Sequence, residues 1–313
     1  MQRKKLLVLV PIIDEDFVLL KELANEYDVI KKADFNGCVE DVEIVYGWDS
    51  ELNLKLVTSP SNKIKWIQAQ SAGIDHIDTT VLKEQGILLS NGSGVHGNQM
   101  SESVLGMLFT YTRGIKSAVL NQEKATWVIP DKQTDLVGKK VMILGTGHIG
   151  ARLAEVLKVF QTYLVGVNRS GKPVANFDKM IQQDQLDTVL SEMDIVINLL
   201  PDTTVTHHFF TEELFSVMKK GVIFINVGRG GTVKTDDLVI ACQNGTIGFA
   251  GLDVFEEEPL PKESPLWQLD NCLITPHSSG MTDKYFERLF PIFKTNLEVF
   301  LQTGKISENE ITL

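Results

Sequence analysis

The 313-residue sequence predicts an α/β chain with doubly wound parallel sheets, and three observations carry that expectation. Short runs rich in β-branched residues alternate with helical patterns along most of the chain. The runs are continuously apolar, the pattern of parallel strands buried on both faces. One of them, VMILG at 141–145, passes directly into a glycine-rich turn that opens a helix.

Taken in order, the first strand is LLVLV at 6–10. Basic residues precede it as in a secretory signal, but the apolar run meets Asp14, Glu15 and Asp16 with no small-residue cleavage site, so it reads as a buried strand. VEIVYG at 42–47 follows. SESVLGMLFTYTRGIKSAVL at 101–120 repeats apolar residues at helical spacing and is long enough to bridge two lobes, with a boundary near residue 98. After the glycine turn, IGARLAEVLKVF directs Ile149, Leu153, Val156, Leu157 and Phe160 inward. YLVGV at 163–167, DIVINLL at 194–200 and GVIFINV at 221–227 are further strands. A closing helix over 283–301 carries Phe286, Phe290, Phe293, Leu297 and Phe300 on one face, ends before Gly304, and needs a partner surface that the first lobe can supply. The expected domains are 1–98 with 283–313, and 99–282, in keeping with a length too great for one ordinary core.

Composition narrows the function classes. With 30 Lys+Arg against 41 Asp+Glu, the formal charge of −11 repels phosphate backbones and anionic membranes, so neither nucleic acid nor membrane is an expected partner. Cys38, Cys242 and Cys272 are odd in number, far apart and without CxxC spacing, which argues against a disulfide framework or a zinc site and fits a reducing cytoplasm. No apolar segment approaches a membrane span, and no repeat appears.

Gly145, Gly147 and Gly150 form GxGxxG between a strand and a helix. In that setting the first glycine allows a tight turn, the second lets backbone approach a pyrophosphate, and the third packs helix on strand, with the helix N-terminus, His148 and Ile149, facing the phosphate charge. About twenty residues on, where an acidic residue would take the ribose hydroxyls of NAD(H), stand Asn168, Arg169, Ser170 and Lys172. An Arg fork and a Lys beside hydroxyl and amide donors suit a 2′-phosphate, so NADP(H) is expected in preference to NAD(H), which stays possible.

Three more stretches hold functional residue types where strands should end: INVGRGG at 225–231, GLDVFEEEPLP at 251–261 and TPHSSG at 275–280. Ligands of open α/β sheets sit outside the carboxyl ends of strands, which puts Arg229 and His277 toward a cleft. The glycines beside Arg229 suggest close approach of a ligand. His207 and His208 are adjacent and lack a completing metal pattern, so they read as structural or surface residues. His76 and His96 lie on first-lobe loops, where substrate contact is the alternative to the structural role they are expected to have.

Together GTGHIG, NVGRGG, LDVFEEEPLP and TPHSSG resemble the successive signatures of the D-isomer-specific 2-hydroxyacid dehydrogenases, and SAGIDHID at 71–78 resembles that family's substrate loop. NRSGK and HSSG look closest to its glyoxylate/hydroxypyruvate reductases. The resemblance implies a Rossmann-like cofactor domain, a flavodoxin-like substrate domain and an interdomain cleft. It implies hydride transfer between the cofactor and a small 2-oxo or 2-hydroxy acid, with Arg229 on the substrate carboxylate and carbonyl, His277 as acid/base, and Glu258 orienting it. Reducing a carbonyl needs a proton donor that titrates near neutrality, and a carboxylate against the imidazole fixes the ring and favours its protonated form. By position alone Glu256 and Glu257 rival Glu258. The resemblance further assigns the substrate carboxylate to the amides of Ala72 and Gly73, the nicotinamide amide to Asp253, the adenosine side to Pro201 and Thr206, and cofactor contacts to Val227 and Gly280. It implies a homodimer, with the helix near Ser101 as candidate interface. The rivals are 3-phosphoglycerate dehydrogenase, which often carries an added C-terminal regulatory domain that is not expected here, D-lactate dehydrogenase, and a non-catalytic dinucleotide sensor like the family's corepressors.

Overall fold

The computed structural model describes residues 3–74, 76–129 and 133–313. The strands are β1 (Lys4–Val8), β2 (Tyr27–Lys31), β3 (Val42–Tyr46), β4 (Trp66–Gln68), β5 (Leu88–Ser90), β6 (Lys140–Leu144), β7 (Tyr163–Asn168), β8 (Lys179–Gln182), β9 (Ile195–Asn198), β10 (Val222–Asn226), β11 (Ile247–Leu252), β12 (Cys272–Ile274) and β13 (Glu310–Ile311). The α-helices are α1 (Asp14–Leu23), α2 (Ser50–Thr58), α3 (Thr79–Glu84), α4 (Gly97–Thr112), α5 (Ile115–Glu123), α6 (His148–Lys158), α7 (Glu212–Ser216), α8 (Thr235–Gln243) and α9 (Tyr285–Thr303). They form two compact units, one of residues up to Val95 with Thr282–Leu313, the other of His96–Met281. No helix among the described residues is long and apolar enough to cross a membrane.

The sheet of the first unit has the order β13-β5-β4-β3-β1-β2, parallel except for β13 against β5. Apart from β13 this is the flavodoxin-like order 2-1-3-4-5, which reverses between β1 and β3. Because side chains alternate across a strand, Leu6 and Val8 enter one core with Ile44, Tyr46 and Trp66, and Leu7 enters another with Val45 and Ile67. The first of these cores receives α9. Phe290, Phe293, Leu297 and Phe300 are all buried, each contributing about 1.5–3 kcal/mol. Phe293 stacks on Tyr46 at 3.9 Å between centroids. The expected partner surface of the closing helix is thus the sheet of the first unit.

The second unit has an all-parallel sheet, β12-β11-β10-β9-β6-β7-β8. Counted from β6, its first six strands follow the Rossmann order 3-2-1-4-5-6, with the reversal between β6 and β9. Met142 and Leu144 face one core and Val141 and Ile143 the other. Cys242, in α8, and Cys272, the first residue of β12, are buried in the former, and the described cysteines are all free thiols.

One expected element differs. The single helix over 101–120 is two, α4 and α5, separated at Arg113 and Gly114, where Gly114 takes φ +66°. The apolar face of α4, with Met100, Val104, Met107 and Leu108, is spent inside the second unit.

Candidate active site

Both β9 and β10 end in a buried asparagine, and these two residues hold the turn that carries Arg229. Asn198 Nδ2 donates to Asn226 Oδ1 at 3.0 Å and to Thr232 Oγ1 at 2.7 Å. The Thr232 hydroxyl in turn donates to the Arg229 carbonyl at 2.6 Å. A buried network with its donors answered fixes a single backbone path. Arg229 Nη1 donates to the Gly228 carbonyl at 2.9 Å. A Cβ on Gly228 would lie 2.7 Å from the Leu200 carbonyl oxygen, and one on Gly230 would overlap the Phe255 backbone. The glycines beside Arg229 therefore admit protein backbone, where the sequence had suggested a ligand.

His277 takes a left-handed backbone, φ +50°, unusual for a non-glycine residue and costly unless its surroundings hold it. Asp253 supplies the hold. Its carbonyl accepts from His277 N at 2.8 Å, and its carboxylate accepts from Thr275 Oγ1 at 2.5 Å, Ser278 N at 2.9 Å and Ser279 N at 3.0 Å. Asp253 is fully buried. It braces the His277 loop through both carboxylate oxygens. Among the three neighbouring glutamates, Glu258 meets His277, with Oε2 2.7 Å from Nδ1, while its Oε1 accepts from Phe255 N at 3.0 Å. That contact leaves Nε2 as the ring nitrogen available to a ligand.

Glu256 serves a second imidazole. Its Oε1 lies 2.6 Å from His208 Nε2, and its Oε2 accepts from Thr235 N, in the first turn of α8, at 2.5 Å. Burial pushes its carboxyl up, but the Thr235 and His208 contacts outweigh that and hold it below the usual range. His208 also has a left-handed backbone, φ +49°, and its ring stacks on His207 at 4.2 Å. His207 Nδ1 lies 3.2 Å from Asp202 Oδ1. Arg229, Glu256, Glu258, His277, His207 and His208 all line one cavity of about 560 Å³. The two histidines set aside as structural or surface residues are walls of the site. The spacing of Glu256 and Glu258, two carboxylates on one loop, was the available signal for two imidazoles.

The glycine turn lies at the carboxyl end of β6, at the reversal of strand order. Gly145 takes φ +98°, and a Cβ on Gly150 would overlap the Gly145 carbonyl, so the first and third glycines serve the tight turn and the close helix packing. Around Gly147 a Cβ would meet nothing within 4 Å. Gly147 caps α6 with no side-chain hydrogen bond and no acidic residue follows in the first turn, so the N–H groups at His148 and Ile149 face out uncapped. At the end of β7, Asn168 Nδ2 donates to Thr146 Oγ1 at 3.0 Å and to the Lys172 carbonyl at 3.2 Å, and Asn168 Oδ1 accepts from Ser170 N at 3.1 Å. These bonds brace the 168–172 loop. Arg169 and Lys172 are exposed and make no ion pair among the described residues. Thr206 is buried and spends its hydroxyl on the Pro201 carbonyl at 2.5 Å and on Thr203 N at 2.9 Å, which closes that loop. Val227 is buried behind the Arg229 turn. The Gly280 carbonyl accepts from Gln99 Nε2 at 3.2 Å, and His96, in the second unit, lies against Gly280, where burial holds its imidazole below the ordinary range.

In the first unit, neither amide of Ala72 nor of Gly73 donates a hydrogen bond among the described residues, and Asp75 of the same loop lies outside them. Among the described residues, no three His, Cys, Asp or Glu side chains could group around a metal ion.

Residues 105–279 match the family described as D-isomer specific 2-hydroxyacid dehydrogenase, NAD binding domain. The chain belongs to the D-isomer-specific 2-hydroxyacid dehydrogenases. As a D-2-hydroxyacid dehydrogenase it is an oxidoreductase acting on a CH–OH group. It is 33% identical to glyoxylate/hydroxypyruvate reductase B of Citrobacter koseri over 79% of this chain and 78% of that one. Among solved structures of similar proteins, the phosphoglycerate dehydrogenase of Lactobacillus plantarum is 33% identical with TM-score 0.60, covering 99% of this chain and 100% of that one. A probable 2-hydroxyacid dehydrogenase from Rhizobium etli, in complex with NADP, HEPES and L(+)-tartaric acid, is 28% identical with TM-score 0.77, covering 99% and 98%.

Proposed function

We propose that this D-2-hydroxyacid dehydrogenase reduces a small 2-oxo acid, glyoxylate or hydroxypyruvate, with NADPH as preferred cofactor. The observation that carries the reading is the 2.7 Å contact of Glu258 with His277 Nδ1 in the cavity that Arg229 also lines. The unit His96–Met281 would hold the cofactor, its pyrophosphate over Gly147 and the uncapped start of α6 and its 2′-phosphate against Arg169 and Lys172. The open space at Gly147 fits that group. When bound, the nicotinamide supplies the hydride.

The chain's own residues do the rest. The Arg229 fork takes the substrate carboxylate. As the carbonyl carbon gains the hydride, its oxygen takes the proton from His277 Nε2–H, so C=O becomes CH–OH and the imidazole is left neutral. Glu258 keeps Nδ1 occupied so that Nε2 is the nitrogen that faces the substrate. Asp253 keeps the loop that carries both His277 and its strained backbone in place.

The name of the Citrobacter relative supports the substrate and the NADP complex of the Rhizobium protein supports the cofactor. Identity to a phosphoglycerate dehydrogenase favours a second reading, reduction of a phosphorylated 2-oxo acid. Initial rates with NADPH on glyoxylate, hydroxypyruvate, 3-phosphohydroxypyruvate and pyruvate decide between them. The first two are expected to give the highest kcat/KM, and a preference for the phosphorylated acid would replace this reading with the second.

The enzyme would be a cytoplasmic homodimer. Free thiols fit a reducing compartment. The candidate interface is the stretch that begins near Ser101, and within it α5 leaves Ile115, Val119 and Leu120 44–52% exposed. An apolar patch of that kind is the usual mark of an interface. Light scattering should give twice the 34.9 kDa of one chain, and a single-chain mass would remove the claim.

A further inference from the structure

We infer that the first unit carries a binding site of its own for a small organic cation, a primary ammonium on a short apolar body. Its sheet order reverses between β1 and β3, and open parallel sheets take ligands outside the carboxyl ends of strands at such a reversal. A cavity of about 220 Å³ opens there, walled by Ile12 after β1, Asp16 on α1, Tyr46 at the end of β3, and Phe286, Glu287 and Phe290 on α9.

Two independent observations say what it would take. Tyr46 is 1% exposed, lines the cavity, and its hydroxyl makes no hydrogen bond among the described residues. The ring is buried but the hydroxyl itself is not sealed off, so it faces the cavity, where a ligand atom can take the place of solvent. Asp16 makes no ion pair among the described residues either, and it is crowded by its own sign. Burial first, then the charges of Glu15 and Glu287, push its carboxyl above the usual range, although a helix N-terminus would by itself favour the anion. Glu287 already has Lys284 at 3.0 Å. Asp16 therefore lacks a counter-charge, and Tyr46 offers a hydroxyl with no protein partner among the described residues, in the same cavity.

An ammonium answers both, donating to the Asp16 carboxylate and to the Tyr46 oxygen while its alkyl body lies on Ile12, Phe286 and Phe290. Ring faces beside the charge add cation–π attraction. An anion would be repelled by Asp16, Asp283 and Glu287, and a neutral apolar molecule would leave Asp16 unanswered. The site is independent of the oxidoreductase reading and does not depend on it.

The test titrates the full chain with n-pentylammonium chloride by calorimetry and by NMR, with 1-pentanol as the uncharged isostere and pentanoate as the anion. Saturable millimolar binding of the ammonium is expected, at least about tenfold weaker for 1-pentanol and for Asp16→Asn and a few-fold weaker for Tyr46→Phe. Far-UV circular dichroism and melting of each variant confirm folding, and Glu287→Gln, expected to weaken binding by less than Asp16→Asn, stands in should the latter fail to fold. Equal affinity for 1-pentanol, unchanged affinity in the folded variants, or no saturable binding overturns the inference.

Discussion

His277 sits on backbone that costs free energy to hold, and the site is organised so that one buried carboxylate, Asp253, meets that cost while another, Glu258, sets the ring. Removing the imidazole should act on the proton and little else. His277→Ala is expected to lower turnover by about 10²- to 10⁴-fold with NADPH affinity nearly unchanged, measured on one preparation by steady-state kinetics and fluorescence titration. Turnover close to wild type would remove His277 as the donor. Arg169 is the other residue on which the reading turns. Arg169→Asp deletes a phosphate partner and supplies a ribose acceptor, so NADPH efficiency should fall roughly ten- to hundredfold while NADH efficiency holds or rises. A wild type that already favours NADH, or an unchanged ratio in the variant, would show Arg169 to be a solvated surface residue. At this scale Arg229 and His277 were legible because their types stand in motifs just past strands, while Glu258 was singled out from Glu256 and Glu257 only by the family resemblance. Asn198, Asn226 and Thr232 were not, since an amide ending an apolar run looks like any strand terminus until its partner strand is known. His208 was hidden by reading sequence neighbours as if only they could complete a site, when its carboxylate comes from 48 residues away.

Among the elements, those read from the sequence were the ones with enough apolar residues in a row. β4, β5 and β12 have three residues each, β8 is half charged or polar, and β11 carries two glycines, so none rises above background without the neighbours that pair it. Periodicity ran 101–120 together because helical spacing survives the two-residue break at Arg113 and Gly114. Polar stitching between strands was equally invisible. Asp194, just before β9, accepts from Lys140 N at 2.9 Å and from Lys219 Nζ at 2.7 Å, and its own carbonyl accepts from Ile223 N at 3.0 Å, so it ties together the starts of β6, β9 and β10. Burial raises its carboxyl, but the Lys219 and Lys140 bonds outweigh burial and hold it below the usual range. A depressed carboxylate stabilises the fold above its unfolded pKa of about 3.9 and stops doing so as pH falls through the folded value. Asp194→Asn should therefore cost about 1–3 kcal/mol in urea unfolding at pH 7, with the gap to wild type narrowing below about pH 4. A gap of constant size across that range would mean the charge is not what stabilises the junction.

Across the whole molecule, two sheets with different strand orders share one chain, and alternation of strands and helices sufficed to read the class of both. Strand order itself follows from pairings such as β9 with β10 and β6 with β9, 28 and 54 residues apart in sequence, which no local pattern encodes. The second sheet has a consequence for reactivity. Cys242 and Cys272 lie in its core at 4% and 5% exposed, and burial above all pushes both thiols up to about 12. A cysteine attacks iodoacetamide as the thiolate, displacing iodide, so neither shut access nor the pKa permits alkylation of the closed form at pH 8. Cys38 is half-buried, in the other unit. Iodoacetamide should thus add one adduct quickly and two more only as the second core opens, and mass spectrometry of the slow pair would serve as a clock for that opening. Simultaneous modification of all three would mean that the core admits reagent without unfolding. The slow pair should quicken with urea in step with loss of the second unit's structure, giving this enzyme an intrinsic label for which half of it comes apart first.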